Sequence, residues 1–488
     1  MMGTPTFSPL YIGLSGLQAM QEAESVVGNN IDNANTPGYA QESVNLVEGH
    51  PYPPVPGDGP MIGGQYGQGV SVQSVTRQDS WFYDRQDWQN QSTYQMYSTY
   101  SSILTQVQGI LSEPSSNGIQ SALDQFFSAW QTLSTDPSNT AARQAVITQG
   151  QVLAQTANTV TSQLQTLQSN VLSQINDQFQ ELEQYAQELS AVQAQIAAIS
   201  QSNVGAGGAS SSAVENPNEL LDQQAAIIDE MSQLANLTLS QNQDGTISVS
   251  IGPGGSSGTV IPLNALTQAS VTEGSNGVLV LSVGSGSNTQ TYSLSSVVSG
   301  GQIAGNAQGF TELTGLLNNL NAFTSQLATQ INSALGGQTF FDTSPFGVDV
   351  KMTSATLALG PGGPPGSSTY VAGDNTYAVN VVNLQTQAQS ITWIDGSGNS
   401  QSATGTFDQL LASVVSQVGM TASGVAAGEK TADALLQQSS QLRQSISGVS
   451  IDEQASYMIA FQNAYAAAAK YIATFQTMLN ALLNMVQP

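Results

Sequence analysis

The sequence predicts a mainly α-helical protein with β insertions (α+β): an elongated, multi-domain helical rod formed by both chain ends, with small antiparallel β domains inserted in the middle. Three observations carry this. Apolar residues recur at three- and four-residue steps at both termini, a central stretch over about 139–203 keeps that spacing, and period-two alternation is confined to the middle. Steps of three and four place side chains on one helix face, whereas period two belongs to strands.

At the N-terminus Leu10, Leu14, Leu17, Met20, Ala23, Val27 and Ile31 line one face of a helix. That helix must stop by Asn35, because Thr36 precedes Pro37 and is pushed out of the α region. Pro37-Gly38 fits the centre of a type II turn, Pro presetting φ and Gly accepting a positive φ. Tyr97, Tyr100, Leu104, Val107 and Leu111 predict a second helix, Ile119, Leu123, Phe126, Trp130 and Leu133 a third, and Asp136-Pro137 the start of a fourth. The fourth keeps heptad-like spacing to residue 203 with one stutter near Ile175, and would be on the order of 95 Å long.

Residues 205–212, reading GAGGASSS, form a flexible connection by composition. In Asn216-Pro217-Asn218-Glu219, Asn caps a helix, Pro takes its first position and Glu returns a bond three residues on. Leu220, Leu221, Ile227, Ile228, Met231 and Leu234 then continue that helix.

Leu237 and Leu239, a turn at Gln243-Asp244-Gly245 and the alternation of 246–251 open a small antiparallel β unit, which 260–262, 278–281 and 291–294 extend. Leu313, Leu316, Leu320, Phe323, Leu327 and Ile331 return to a helix. After the Gly/Pro tract of 360–366, short strands are expected at 377–382 and 391–394, and a helix over 407–418.

The C-terminal helix carries two apolar seams. Ile451, Ala455, Met458, Gln462, Tyr465, Ala469, Ile472, Gln476, Leu479, Leu483 and Val486 form the first, and Phe461, Ala464, Ala468, Tyr471, Phe475, Met478 and Leu482 the second. Together they cover more than half of the circumference, more than one partner helix can bury. The expectation is that one seam packs within the chain and the other between chains.

Composition excludes several functions. Of 488 residues, 33 are Asp or Glu and 7 are Lys or Arg, giving a net charge of −26. Such a chain cannot neutralise a row of phosphates or hold an anionic membrane surface. Charged residues make up 8%, against about 25% in ordinary domains. With no Cys, disulfides, thiolate metal sites and thiol nucleophiles are impossible. The single histidine, His50, sits in the Pro-rich His50-Pro51-Tyr52-Pro53-Pro54 and reads as an exposed loop residue. Carboxylate pairs such as Glu181 with Glu188, or Asp222 with Asp229, read as solvated charge. HExxH, GxxxxGK[ST] and DxDxDG patterns are absent, so no catalytic, metal or cofactor residues are assigned. No secretory signal is evident, because the first basic residue is Arg77.

Ser15-Gly16-Leu17-Gln18-Ala19-Met20 and Asn29-Asn30-Ile31-Asp32-Asn33-Ala34-Asn35-Thr36-Pro37-Gly38-Tyr39 closely resemble the N-terminal signature of the bacterial flagellar axial proteins, the rod, hook and hook-associated proteins. Ser447-Gly448-Val449-Ser450-Ile451-Asp452-Glu453 through Leu479-Asn480-Ala481-Leu482-Leu483 looks like the matching C-terminal helix. Three internal stretches point to the hook-associated members at the hook–filament junction. They are Asp124-Gln125-Phe126-Phe127-Ser128-Ala129-Trp130 with Asp136-Pro137 and Ala141-Ala142-Arg143-Gln144-Ala145; Asn218-Glu219-Leu220-Leu221-Asp222-Gln223-Gln224; and Asp244-Gly245-Thr246-Ile247-Ser248-Val249. The chain departs from the family after Tyr39, where Ala40-Gln41-Glu42 replaces the usual basic residue.

The resemblance implies a non-enzymatic structural protein that polymerises between hook and filament and supports motility. It implies export without a cleaved signal peptide to an extracellular, flagellar location. Its partners would be further copies of itself in a ring, the hook protein, a second junction protein (hook-associated protein 3) and a cytosolic export chaperone on the C-terminal helix, with no nucleic acid and no membrane. The expected division is a terminal coiled-coil region (1–60 with 447–488) disordered before assembly, a helical rod domain (61–236, 301–345 and 401–446), a β insertion (237–300) and a second small insertion (346–400). The implied assembly interface comprises Leu10, Leu14, Leu17, Met20, Val27, Asn29, Asn30, Ile31, Asn33, Thr36, Pro37, Gly38 and Tyr39 with Ile451, Met458, Phe461, Tyr465, Ile472, Phe475, Leu479, Leu482 and Leu483. The alternatives are the hook protein itself, or a secreted adhesin-like β domain on a helical stalk.

Overall fold

Helix α1 (Ser8–Asp32) and helix α10 (Ile451–Val486) lie against each other, so the two ends of the chain form one antiparallel pair. The computed structural model describes residues 8–486 except 37, 50–66, 114, 206–216, 253–258, 267, 275–276, 285–288, 344–345 and 350. Pro37, His50, most of the Gly/Ser connection and Asn216 therefore lie outside the described residues.

A hairpin follows α1: β1 (Glu42–Glu48) pairs antiparallel with β2 (Val70–Arg77) through a register shift at Asn45/Leu46. The expected boundary at residue 60 falls between these two paired strands. The body comprises α2 (Trp81–Leu111), α3 (Ile119–Thr135), the 66-residue α4 (Thr140–Gly205), α5 (Asn218–Leu234), α7 (Gly301–Ala334) and α9 (Phe407–Ser447). In this bundle α2 packs on α9, α7 and α5, and α4 on α7, α3 and α5.

The central segment contributes β3 (Leu237–Gln241), β4 (Ile247–Ile251) and β5 (Ile261–Pro262) as one antiparallel sheet. A second sheet holds β6 (Ser270–Glu273), β7 (Leu279–Val283) and β8 (Gln290–Ser293), followed by the one-turn α6 (Leu294–Val297). Two further hairpins, β9 (Phe341–Thr343) with β10 (Phe346–Val348) and β11 (Gln389–Ile394) with β12 (Ser400–Gly405), flank α8 (Thr376–Leu384). The sheets do not have cores of their own. Val249, Ile251, Leu281 and Val283 share one apolar cluster with Ile175, Phe179 and Ile196 of α4. Two Asn176 bonds, Nδ2 to the carbonyl of Val271 and Oδ1 from its N–H, stitch β6 to the rod.

The motif around Phe126 is explained by packing. Phe126, Phe127 and Trp130 are fully buried; Phe126 meets Phe340 and Phe341, and Trp130 meets Phe340, at ring-centroid distances of 5.4–5.9 Å. Offset and edge-on rings at such separations add to the stabilisation from burial alone.

Two local expectations are corrected. Residues 377–382 are helical, within α8, and not a strand: the buried side chains Ala378, Val381 and Leu384 fall at three-residue steps, which strand geometry would send to both faces. Pro217 occupies the N-cap of α5 rather than its first helical position and makes no side-chain capping bond, while Asn218 turns its side chain outward to the hairpin. A capping box forms instead on α9, where Thr406 and Gln409 satisfy each other's backbone N–H groups.

Candidate assembly interface

The α1–α10 contact is built on small residues. Gly13 lies against Ile472, and a Cβ there would sit 2.5 Å from Ile472 Cγ1. Gly16 faces Ala468, and further along Gln462 Nε2 donates to Glu24 Oε1 at 3.0 Å. Glycine admits this close approach because it has no side chain to displace. Leu10, Leu17, Met20 and Ile31 are half-buried, Val27 is buried, and Leu14 is 45% exposed.

The covered stripe of α10 is neither of the two expected seams. Gln454, Met458, Phe461, Ala468, Ile472, Phe475 and Leu479 are its buried or half-buried residues, and all but Ala468 and Gln454 alternate between the two seams. One partner helix thus takes a line running between the seams. The outer half of each seam stays uncovered: Ile451 is 54% exposed, Leu483 56%, Met478 61% and Leu482 60%, and Tyr465 and Tyr471 are also exposed. An 18-residue window within 407–485 has a mean hydropathy of 1.5, long and apolar enough by composition to cross a membrane, with only 28% of it buried.

The end of α1 explains the Asn-rich motif. Asn33 Nδ2 donates to the carbonyl and Oδ1 of Asn29, Thr36 Oγ1 donates to Asn33 Oδ1, and Tyr39 N donates to the carbonyl of Thr36 at 3.2 Å. These bonds close the last turn, where helix carbonyls otherwise lack partners. Gly38 has φ +80°, and a Cβ there would lie 2.9 Å from that of Ala226, so conformation and space both require glycine.

Asn30 is the hub. Its Nδ2 donates to the carbonyl of Glu42 at 2.9 Å and its Oδ1 accepts from the N–H of Glu42 at 2.8 Å. The side-chain amide thereby pairs with Glu42 as a peptide of a neighbouring strand would, and closes the first position on the open edge of β1. The same Nδ2 donates to Gln454 Oε1 of α10, and Tyr39 Oη donates to Asn30 Oδ1. Burial, together with the nearby Glu42 and Asp222 carboxylates, holds the Tyr39 hydroxyl far above the usual tyrosine range, so it stays a donor.

The hairpin is anchored to the body without the basic residue missing after Tyr39. Arg77 Nε donates to Asp222 Oδ1 at 2.5 Å, and the N–H of Ala40 reaches the same oxygen. Asn218 Nδ2 adds bonds to Glu42 Oε1 and the carbonyl of Val75. Asp222 was read as solvated charge; burial in fact pushes its carboxyl up, with Arg77 offsetting part of the cost.

A second polar centre lies beside it. The Arg443 guanidinium of α9 meets Asp84 at 2.8 Å, Asp87 at 3.3 Å and Asp229 at 2.9 Å, and its carbon stands 5.7 Å from the Trp88 ring centroid. Trp88 Nε1 donates to Asp229, while Ser439 and Ser440 donate to Asp87 at 2.8 Å. Sequence reading missed Arg443 and Gln454, since a lone Arg or Gln on a helix carries no spacing signal. It also placed Asp229 in solvent.

Among the described residues no group of three or more His, Cys, Asp or Glu is arranged to hold a metal ion. The ends of the interface match two families of rod proteins, the flagella basal body rod protein over 10–39 and the flagellar basal body rod FlgEFG protein C-terminal over 441–485. Between them, residues 104–341 match the flagellar hook-associated protein FlgK helical domain. Flagellar hook-associated protein 1 of Bacillus subtilis (strain 168) is 26% identical over 520 residues, spanning 99% of this chain and 98% of that protein. Over its whole length the chain is similar to flagellar hook-associated protein 1.

The hook-associated protein 1 of Salmonella typhimurium (strain LT2) is 28% identical over 243 residues, 49% of this chain and 40% of that protein. The solved flagellar hook junction protein FlgK from Burkholderia pseudomallei overlays with a TM-score of 0.44 at 22% identity, covering 66% of this chain and 57% of its own. The chain is a structural protein of the flagellar hook–filament junction, an exported component that assembles with other axial proteins. The 10–39 match contains Asn30 and the whole α1 end motif, and the 441–485 match contains Arg443, Gln454 and most of α10.

Proposed function

We propose that the protein polymerises through its terminal helices, the uncovered face of α10 packing against neighbouring copies while its covered stripe holds α1. The observation that carries this is the exposure of Ile451, Met478, Leu482 and Leu483 on a helix whose other side is already buried. An apolar stripe of that length on a soluble subunit is satisfied by association. In the assembled layer, copies form a ring with the hook protein on one side and hook-associated protein 3 on the other. Before assembly the same face of α10 is what a cytosolic export chaperone covers, and the terminal region 1–60 with 447–488 acts as the assembly unit. The chain leaves the cell without signal cleavage and performs no catalysis. The helical rod and the two insertions (237–300 and 346–400) face outward from the terminal pair.

Deleting residues 472–488 tests this in cells and in solution. The truncated chain remains a folded, soluble monomer and no longer attaches filaments to hooks. Filament attachment by the truncated chain overturns the reading. Partition of the purified full chain into lipid vesicles, with the truncated chain excluded, assigns the apolar window to a membrane instead.

A further inference from the structure

We propose that the Arg443 cluster is a proton-responsive clamp: a proton taken up among Asp84, Asp87 and Asp229 tightens the packing of α2, α5 and α9 at the base of the terminal helices.

The charges do not balance. Three carboxylates face one guanidinium, so the cluster is formally −2 when all are ionised. Its side chains are 8%, 11%, 29% and 16% exposed for Asp84, Asp87, Asp229 and Arg443, so water screens the excess poorly. Like charges sharing one buried counter-ion cannot all ionise without cost.

The neighbouring elements add little net positive charge: Arg77 of the hairpin also lowers the Asp84 carboxyl, and Asp79 opposes it. From the hairpin side, Arg77 already serves Asp222 and Asp79. On α5, Glu230 lines the small cavity next to Asp229 and adds negative charge. On α2, Arg85 borders a different cavity, with Ser92 and Asn236. Among the described residues, Arg77 and Arg443 are the cations found in ion pairs with carboxylates. The seven Lys and Arg of the whole chain leave little else to recruit. Ser439 and Ser440 give Asp87 two hydroxyl donors, whereas no hydroxyl is bonded to the Asp84 or Asp229 carboxyl among the hydrogen bonds of the cluster.

The expected direction agrees. Burial pushes the Asp84 and Asp229 carboxyls above the ordinary range; Arg443 offsets part of this at both, and Arg77 a further part at Asp84. A carboxyl whose value is raised on folding binds its proton more tightly in the folded chain than in the unfolded one. Stability is therefore gained as pH falls through the raised folded values, and the gain is complete near the unfolded carboxyl value of 3.8. The clamp closes four residues before Ser447, whose carbonyl accepts from Gln41 N, so its tightness reaches the connection to α10.

The Trp88 indole is a built-in reporter, because its N–H donates to Asp229. Full-length protein labelled with ¹⁵N-tryptophan shows four indole signals, one per tryptophan, with Trp88→Phe identifying the relevant one. Between about pH 8 and pH 4 the Trp88 signal titrates in the wild type and is flat in Asp229→Asn. Asp229→Asn also raises the melting midpoint at about pH 8 by roughly 2 °C or more and leaves it nearly unchanged at about pH 4. A Trp88 signal that does not move in folded wild type overturns the clamp, as does an Asp229→Asn midpoint lowered equally at both pH values. If Asp229→Asn does not fold, Asp84→Asn carries the same midpoint comparison.

Discussion

Asn30 and Gln454 stand 424 positions apart in sequence, and their side chains are joined by a 3.1 Å hydrogen bond. Both are buried to 1% exposure. The bond ties the start of α10 to the end of α1 at the point where the chain turns into its first hairpin. One amide thus serves three elements, and its orientation is set by the N–H of Glu42 on one side and Gln454 on the other.

Replacing Asn30 by Asp removes both donor bonds and sets a carboxylate against the Glu42 carbonyl and Gln454 Oε1. The expected loss is about 2–4 kcal/mol at neutral pH, from a buried charge and two unpaired acceptors. Urea unfolding of the full chain measures it, and amide exchange shows the loss concentrated in the first turns of α10. Uniform loss of protection across the body, with α10 unchanged, contradicts the hub role.

The Gly13–Ile472 contact predicts a steric effect rather than a polar one. Gly13→Val places three carbons where a single Cβ already lies 2.5 Å from Ile472. The α1–α10 pair separates, and proteases cut the terminal helices faster while the β9–β10 and α3 region keeps its resistance. A compensating Ile472→Ala restores part of the protection; an Ile472→Ala change that worsens it rules out the contact as the cause.

Arg143 is 3% exposed and has backbone oxygens as acceptors: Nε donates to the carbonyl of Pro137 at 2.9 Å and Nη1 to that of Leu357 at 2.6 Å. Burial lowers its pKa, Tyr370 opposing this in part. The guanidinium therefore spans the α3–α4 turn and the loop before α8. Arg143→Lys has one compact ammonium and cannot span both carbonyls. The expected cost is about 1–3 kcal/mol, read as a lowered urea midpoint with early loss of structure in 353–375. A midpoint unchanged by Arg143→Lys contradicts the bridging role.

What the sequence revealed and what it hid follow from the range of the forces involved. Helix periodicity is local, so α1, α4, α7 and α10 were legible from the three- and four-residue spacing of their apolar residues. At 377–382 the same rule misled, because Tyr-Ala-Val-Asn-Val-Val alternates loosely while its burial comes from α3 and α7, packed on it from elsewhere in the chain. The hairpin β1–β2 was missed because residues 49–69 separate its strands and no short turn announces the pairing. Of the interface, the Asn29–Tyr39 motif was legible as a signature, yet its physical content lies in Glu42, Gln454 and Asp222, which only the fold brings near. The two seams of α10 were visible; the line that α1 covers between them depends on Gly13 and Gly16 opposite.

That line makes the two sides of α10 separable by substitution. Met478 and Leu482 are 61% and 60% exposed and lie on the outer side, whereas Ile472 lies against Gly13. Changing both Met478 and Leu482 to Asp adds charge to solvent-facing positions, so stability of the isolated chain moves by no more than about 0.5 kcal/mol. Assembly is different, because burying those carboxylates between copies is costly; filament attachment and swarming are lost, and purified variant supplied from outside does not restore them. Ile472→Asp instead places a charge in the α1 contact and unseats α10 in the isolated chain. If the Met478/Leu482 double variant attaches filaments as well as the wild type, the uncovered face is not where copies meet, whatever Ile472→Asp does.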